Sequence, residues 1–172
     1  MLNKIVISGP ESSGKTTLFN DLCNSYSLIG VSEYARDYIG NLKRSYSYDD
    51  ILLIAEKQYK NEQMLLKSKE PFVLTDTDLL TLEIWCEFKY NKCHPFIKDK
   101  LRANLPNVYL LCHPEVPWEY DSQRENPNDR MALFEIYKNK IKSLGVDYQV
   151  LKGDRLTRLR HTKRIINSIE NS

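Results

Sequence analysis

The eight residues Gly9-Pro10-Glu11-Ser12-Ser13-Gly14-Lys15-Thr16 constrain this chain more than any other stretch. They fit the pattern G-x-x-x-x-G-K-[ST] at every fixed position. Lys4-Ile5-Val6-Ile7-Ser8, just before, reads as a short apolar strand. Thr17 to Cys23, just after, reads as a helix with Leu18, Phe19, Leu22 and Cys23 on one face. Strand, loop, helix is the setting in which such a loop wraps an anion. Glycines let the backbone fold around it, and successive N–H groups then point at phosphate oxygens. The helix that starts at the loop adds the positive end of its dipole. Gly9, Glu11, Ser12, Ser13, Gly14, Lys15, Thr16 and Thr17 are therefore the expected nucleotide-phosphate contacts, with ATP the expected nucleotide. Lys15 is placed to reach the outer phosphates, and the Thr16 hydroxyl to ligate Mg²⁺.

Further strands alternate with helices along the chain. Leu28 to Glu33, Pro71 to Asp76, Asn107 to Cys112 and Asp147 to Leu151 read as strands. Asn107 to Cys112 is apolar enough to be buried on both faces. Ser47-Tyr48-Asp49-Asp50 has the form of a helix start. The helix it opens carries Ile51, Ile54, Ala55 and Tyr59 on or near one face. Further helices are expected from Asp78, over Pro95 to Leu101, around Leu133 to Leu144, and from Asp154 to the end. This alternation predicts an α/β fold with a parallel sheet of five strands and helices on both faces. One domain over residues 1–172 is expected. Pro114, Pro117 and Pro127 interrupt the polar segment from Pro114 to Arg130 and exclude a continuous helix or central strand there.

Composition narrows the function classes. No apolar run approaches the ~20 residues needed to span a bilayer, and no leader fits ahead of the first strand, so a cytoplasmic protein without a membrane partner is expected. Net charge is +2, with 9 Lys/Arg against 12 Asp/Glu in residues 1–86 and 16 against 11 in residues 87–172. The basic second half suits a small anionic substrate, and it is too mildly charged to argue for nucleic acid. Cys93-His94 and Cys112-His113 lack the paired spacing of structural zinc sites, so reduced, mostly buried thiols are expected.

Ligands of such a sheet sit at the carboxyl ends of its strands. Three features collect there: the phosphate loop, Glu33 at the end of the second predicted strand, and Asp76 with Asp78 at the end of the third. Asp76 suits the Mg²⁺ shell, although Asp76 and Asp78 can equally cap the helix that follows. Glu33 can orient and deprotonate an acceptor hydroxyl, or it can be a solvated strand end paired with Arg36. The reverse assignment, Asp76 as base and Glu33 as ribose ligand, stays open. Arg124 and Arg130 lie in and beside the Pro-rich segment, where a mobile lid at about 114–130 would bring charge to a transferring phosphoryl group and exclude water. Two surface arginines are the plainer alternative.

Tyr34, Tyr38, Trp85, Trp118 and Tyr120 are candidates for stacking on a planar ring, or for the core. Arg155, Arg158, Arg160, Lys163 and Arg164 make the last helix basic and read as a solvated face. Arg155, at the turn after the last strand, can also lie near an adenine.

Taken in order, the phosphate loop, Glu33-Tyr34-Ala35-Arg36, Thr75-Asp76-Thr77-Asp78 with Thr81, and Pro114-Glu115-Val116-Pro117-Trp118 with Asp121 and Arg124 carry a resemblance. The chain resembles the ribosylnicotinamide kinase domain of the NadR-type family, a P-loop nucleoside kinase-like group, through nearly its whole length. The resemblance implies a five-stranded P-loop kinase fold and phosphorylation of the 5′-hydroxyl of nicotinamide riboside by ATP with Mg²⁺. It implies catalytic roles for Lys15, Glu33, Asp76, Arg124 and Arg130. It also implies acceptor contacts at Glu33, Tyr34, Arg36, Asp78, Trp118 and Asp121. The family often carries an N-terminal adenylyltransferase domain, for which residues 1–172 leave no room. Its lid commonly reads Trp-x-x-Asp-Gly-x-Arg, whereas Ser122 stands here in place of Gly. A kinase of another nucleoside or nucleotide, and an ATP-binding switch protein without a small-molecule acceptor, are the alternatives. Residue types alone leave the acceptor and the oligomeric state open.

Overall fold

The computed structural model describes residues 3–170. The order of elements is β1 (Asn3–Ser8), α1 (Lys15–Tyr26), α2 (Tyr34–Asn41), α3 (Tyr48–Leu65), β2 (Phe72–Asp76), α4 (Leu79–Tyr90), α5 (Pro95–Ala103), β3 (Val108–Cys112), α6 (Arg130–Leu144), β4 (Asp147–Leu151) and α7 (Arg155–Glu170). The strands are parallel and lie in the order β2-β1-β3-β4. The chain leaves β1 for β2 on one side and returns to β3 on the other. The end of β1 is thus the point where the winding reverses, and a crevice opens there. Residues 9–14, the phosphate loop, occupy it.

Alternate residues of the sheet feed two apolar layers. Val6, Tyr109 and Leu111 pack with Ile51, Ile54, Leu80, Ile97 and Ile141 from α3, α4, α5 and α6. Ile5, Ile7, Leu74 and Leu110 pack with Leu18 and Leu22 of α1 and Ile166 of α7. Every residue of β2 and β3 is buried, which explains the apolar runs Phe72-Val73-Leu74 and Val108 to Cys112. Each fully buried Leu or Ile of these layers stabilises the fold by about 2 kcal/mol. Edge strand β4 alternates exposed and half-buried positions until Leu151.

The sheet has four strands rather than five. The predicted strand at residues 28–33 does lie beside β2, but only Val31 pairs there, with Thr75. Val31 N–H donates to Leu74 O and Val31 O accepts from Asp76 N–H, both at 2.8 Å. Gly30 lies so close under the Phe19 ring that an added Cβ would sit 2.5 Å from it. Two residues beyond Val31 the backbone turns into α2, whose Tyr34, Ala35, Tyr38 and Ile39 pack against the core. Ladder formation is cut off on both sides.

The Ser47–Asp50 helix start is present. Asp50 accepts from Ser47 N–H at 2.6 Å and Ser47 Oγ–H at 2.8 Å, and Arg44 and Tyr38 also bond it. These donors hold the Asp50 carboxyl well below the usual carboxylate range, the Arg44 guanidinium foremost. No helix among the described residues is long and apolar enough to cross a membrane. Cys86 and Cys112 are buried, whereas Cys23 and Cys93 are half-exposed; all four thiols are free.

Candidate active site

The phosphate loop needs conformations that side chains resist. Gly9 has φ +135°, and a Cβ there would sit 2.8 Å from the carbonyl oxygen of Cys112. Gly14, at the start of α1, has φ +84°. Ser12 between them also takes the left-handed region, at φ +52°. Pro10 O closes the loop from within. It accepts from Ser13 Oγ at 2.7 Å and from Lys15 Nζ at 2.8 Å.

At the end of β2, Asp76 Oδ2 accepts from Thr16 Oγ1 at 2.7 Å. Its other oxygen, Oδ1, is buried with no hydrogen-bond partner among the described residues. Thr77 next to it is left-handed, φ +65°, with its N–H on Ile7 O. Burial pushes the Asp76 carboxyl up, against the charge of Lys15 and the Thr16 bond. A hydroxyl and an unpartnered carboxylate oxygen beside the phosphate loop are the hard donors Mg²⁺ prefers. No set of three or more His, Cys, Asp or Glu side chains among the described residues could hold a metal. Any cation at Thr16 and Asp76 would therefore take its remaining ligands from phosphate and water.

One cavity of about 270 Å³ opens against this corner. The phosphate loop forms one wall. Glu33 and Arg36, at the start of α2, also line the cavity, as do Tyr46, Trp85 and Phe88. Glu33 is raised above the ordinary glutamate range by desolvation, opposed by the charge of Lys15. Tyr46 and Trp85 meet edge to face with centroids 4.8 Å apart, and the indole N–H donates to the Tyr46 hydroxyl at 3.1 Å.

The 114–129 segment contains no helix or strand and lies over the phosphate loop. Both Glu11 carboxylate oxygens accept the Glu125 N–H, at 3.0 and 3.2 Å, and Oε2 also takes the Asn126 N–H at 2.9 Å. Ser12 Oγ accepts Glu119 N–H at 3.0 Å and an Arg124 N–H at 3.3 Å. Arg130 donates to Ser12 O at 3.1 Å and Val116 O at 2.8 Å. Glu125 in turn binds Lys89 at 2.9 Å and the Tyr46 hydroxyl at 2.7 Å.

The expected site residues separate into two groups. Gly9, Glu11, Ser12, Ser13, Gly14, Lys15, Thr16, Thr17, Glu33, Arg36 and Arg124 line the cavity, with Asp76 and Arg130 bonded to lining residues. Asp78, Tyr34, Trp118, Asp121 and Arg155 are not brought to its wall. Asp78 is 1 % exposed. It caps α4 through Leu80 N–H, accepts the Tyr109 hydroxyl at 2.9 Å, and lies 3.8 Å from buried Lys4. Its acid is spent on the core rather than on an acceptor. Tyr34 packs on Tyr38 and lines a separate shallow groove. The Trp118 ring lies under the guanidinium groups of Arg124 and Arg130, 6.0 and 5.7 Å from its centroid. Asp121 pairs with Arg36 at 2.6 Å. Arg155 makes a two-pronged pair with Asp21 of α1 at 2.6 and 2.7 Å.

Tyr46 was not foreseen, and Arg158, expected on the solvated face of the last helix, is instead buried. Arg158 is only 4 % exposed and donates to Ser13 O at 2.6 Å. The signal for it was spacing: Arg158, Thr162 and Ile166 recur every four residues, and all three are buried. Tyr46 lies in a stretch with no periodicity, and only the tertiary fold brings it to Trp85.

Comparison with known proteins agrees with this architecture. Residues 4–158 match the family described as AAA domain. The trifunctional NAD biosynthesis/regulator protein NadR of Salmonella typhimurium is 27 % identical over 156 residues, which cover 86 % of this chain and 38 % of that protein. The chain therefore spans little more than a third of that curated relative. A crystal structure of NadR protein in complex with NR superposes with a TM-score of 0.86 at 21 % identity, over 99 % of this chain and 52 % of that one. Deoxyadenosine kinase from M. mycoides superposes with a TM-score of 0.69 at 14 % identity, over 96 % and 99 % of the two chains. The fold is of the P-loop kinase type, the chain resembles the NadR proteins, and the match across residues 4–158 shows that it belongs to the AAA domain family of P-loop proteins.

Proposed function

We propose that this chain is a kinase that transfers the γ-phosphoryl group of ATP to the 5′-hydroxyl of a nucleoside, with nicotinamide riboside as the acceptor and the mononucleotide as product. The observation that carries this reading is the single cavity in which the phosphate loop faces Glu33 and the Tyr46–Trp85 pair. A nucleotide switch has no use for a second, acidic and aromatic compartment beside its phosphates. A nucleoside acceptor needs one. The similarity to NadR protein bound to NR supports the choice of a cationic nucleoside. A pyridinium ring is attracted by aromatic faces and by carboxylates, and both line this wall.

In this reading the loop amides and Lys15 hold the β- and γ-phosphates. Thr16 and Asp76 would hold Mg²⁺, which would neutralise phosphate charge. Glu33 accepts the proton of the acceptor hydroxyl while that oxygen bonds to the γ-phosphorus and ADP departs. Its raised affinity for protons suits a base. Arg124 and Arg130 enter from the lid, and its closure would exclude water. Trp118 serves as the platform on which the two lid arginines rest, and Arg36–Asp121 joins the acceptor wall to the lid.

The test is a panel of nucleosides with ATP and Mg²⁺, read for phosphorylated product. Formation of nicotinamide mononucleotide is the expected result. Turnover of another nucleoside alone moves the acceptor assignment. ATP hydrolysis with no phosphorylated nucleoside overturns the kinase reading.

A further inference from the structure

On the reading that the loop binds a nucleotide's phosphates, we propose that Arg158 is a positioning residue for that loop. It fixes the Ser13–Gly14 peptide from outside the cavity and ties it to the base of the lid segment. Four N–H groups of one guanidinium are used. Nη1 donates to Ser13 O at 2.6 Å, and Nε donates to Gly153 O at 2.9 Å. Nη2 donates to His113 O at 2.9 Å and to Glu115 Oε1 at 3.3 Å. Arg158 thereby spans the phosphate loop, the exit of β3, the first turn of the 114–129 segment and the loop after β4. Glu115 also takes the Gly153 N–H, which closes the ring of contacts.

The Ser13 bond matters because of peptide geometry. The Ser13–Gly14 bond is trans, as are all described peptide bonds. In a trans peptide the C=O and the following N–H point in opposite directions. Gly14 lines the cavity, and Arg158 does not. Pinning Ser13 O toward Arg158 therefore turns the Gly14 N–H to the opposite side, where phosphate would sit. Gly14 is the loop position least able to hold this orientation by itself. It has φ +84° and no Cβ to narrow its choices. Arg130 treats the preceding peptide similarly, by donating to Ser12 O. The anion cradle is thus held open before any anion arrives, which is where preorganisation gains affinity.

A guanidinium is required because the four acceptors lie in different directions. A lysine keeps the charge but presents one nitrogen. The experiment measures binding of AMP-PNP with Mg²⁺ to the full chain, alongside thermal unfolding and the acceptor KM. The wild type is compared with Arg158→Lys, Arg158→Gln and Glu115→Gln. Arg158→Lys and Arg158→Gln are expected to raise the AMP-PNP dissociation constant tenfold or more, with the acceptor KM changed less than twofold. Glu115→Gln, which leaves the Ser13 bond in place, is expected to keep AMP-PNP affinity within twofold. Wild-type affinity in both Arg158 variants overturns the proposal. So does a general loss, in which both variants unfold or lose acceptor and nucleotide binding in parallel. Failure of the wild type itself to bind AMP-PNP would instead overturn the phosphate-loop reading.

Discussion

Thr16 Oγ1 donates to Asp76 Oδ2 at 2.7 Å, joining the first turn of α1 to the end of β2. The bond leaves Asp76 Oδ1 buried without a hydrogen-bond partner among the described residues, an arrangement that costs about 1–3 kcal/mol unless something occupies it. A cation between phosphate and Asp76 would remove that cost. Asp76→Asn is therefore expected to raise the Mg²⁺ concentration for half-maximal rate severalfold or more. Initial rates over a Mg²⁺ titration at saturating ATP check this, and an unchanged Mg²⁺ requirement would remove Asp76 from the metal shell.

The Lys15 ammonium donates to Pro10 O at 2.8 Å. Its charge also opposes the effect of desolvation on Glu33 and Asp76. Lys15→Ala should keep the fold and lower kcat by two orders of magnitude or more, because the lost charge follows the transferring phosphoryl group. Turnover assays with circular dichroism on the same sample separate the two effects. Wild-type turnover in this variant is incompatible with the proposed use of the loop.

The lid arginines differ in what they hold. Arg130 props Ser12 O and Val116 O, whereas Arg124 lines the cavity. Arg124→Ala is expected to lower kcat at least tenfold with ATP affinity nearly kept, since its charge acts on the transition state. A rise in the KM for ATP with kcat unchanged would make Arg124 a ground-state ligand instead.

Sequence and structure agree where one local rule sufficed. The phosphate loop, the parallel sheet and the helix starts at Ser47 and Asp78 follow from periodicity, capping chemistry and glycine placement. The disagreements arise where tertiary partners decide. Val31 was expected within a strand, yet Gly30 beneath Phe19 and the turn into α2 leave it a single bridge. Asp78 follows an apolar strand just as Asp76 does. What separates them is Lys4, a cation on the first strand that no local pattern marks as buried. Trp118, a candidate for stacking on a ligand ring, has the guanidinium groups of Arg124 and Arg130 over its ring.

That buried Lys4 sets a stability prediction. Its Nζ lies 2.7 Å from Glu62 and 3.8 Å from Asp78, with all three side chains almost fully enclosed. Lys4→Met leaves two acids in the core without their cation, at a cost of about 3–5 kcal/mol. In a domain of this size that lowers Tm by roughly 10 °C. Lys4→Met with Glu62→Met should recover part of the loss. Chemical denaturation of the single and double variants measures it, and additive losses would show that the pair does not act as a unit.

The pH dependence of kcat/KM tests Glu33 as the base. Desolvation pushes its carboxyl up, while the charges of Lys15 and Arg36 pull it down and that of Asp76 pushes it further up. A base must be ionised to accept a proton, so activity is present above the raised value and is lost as pH falls through it. The acid limb of the wild type should therefore have its midpoint above the ~4.3 of an ordinary glutamate. Neighbouring charges give the assignment two opposed checks. Arg36→Ala removes a cation that favours the ionised form, and the midpoint should move up. Asp76→Asn removes an anion that disfavours it, and the midpoint should move down even as the Mg²⁺ requirement rises. Glu33→Gln should abolish the limb and lower kcat by two to four orders of magnitude, in line with the loss of a positioned general base. Profiles measured at saturating Mg²⁺ keep metal binding out of the comparison. If the limb persists in Glu33→Gln, another group takes the proton. If Asp76→Asn also abolishes the limb while Glu33→Gln mainly raises the acceptor KM, the roles of the two carboxylates are reversed.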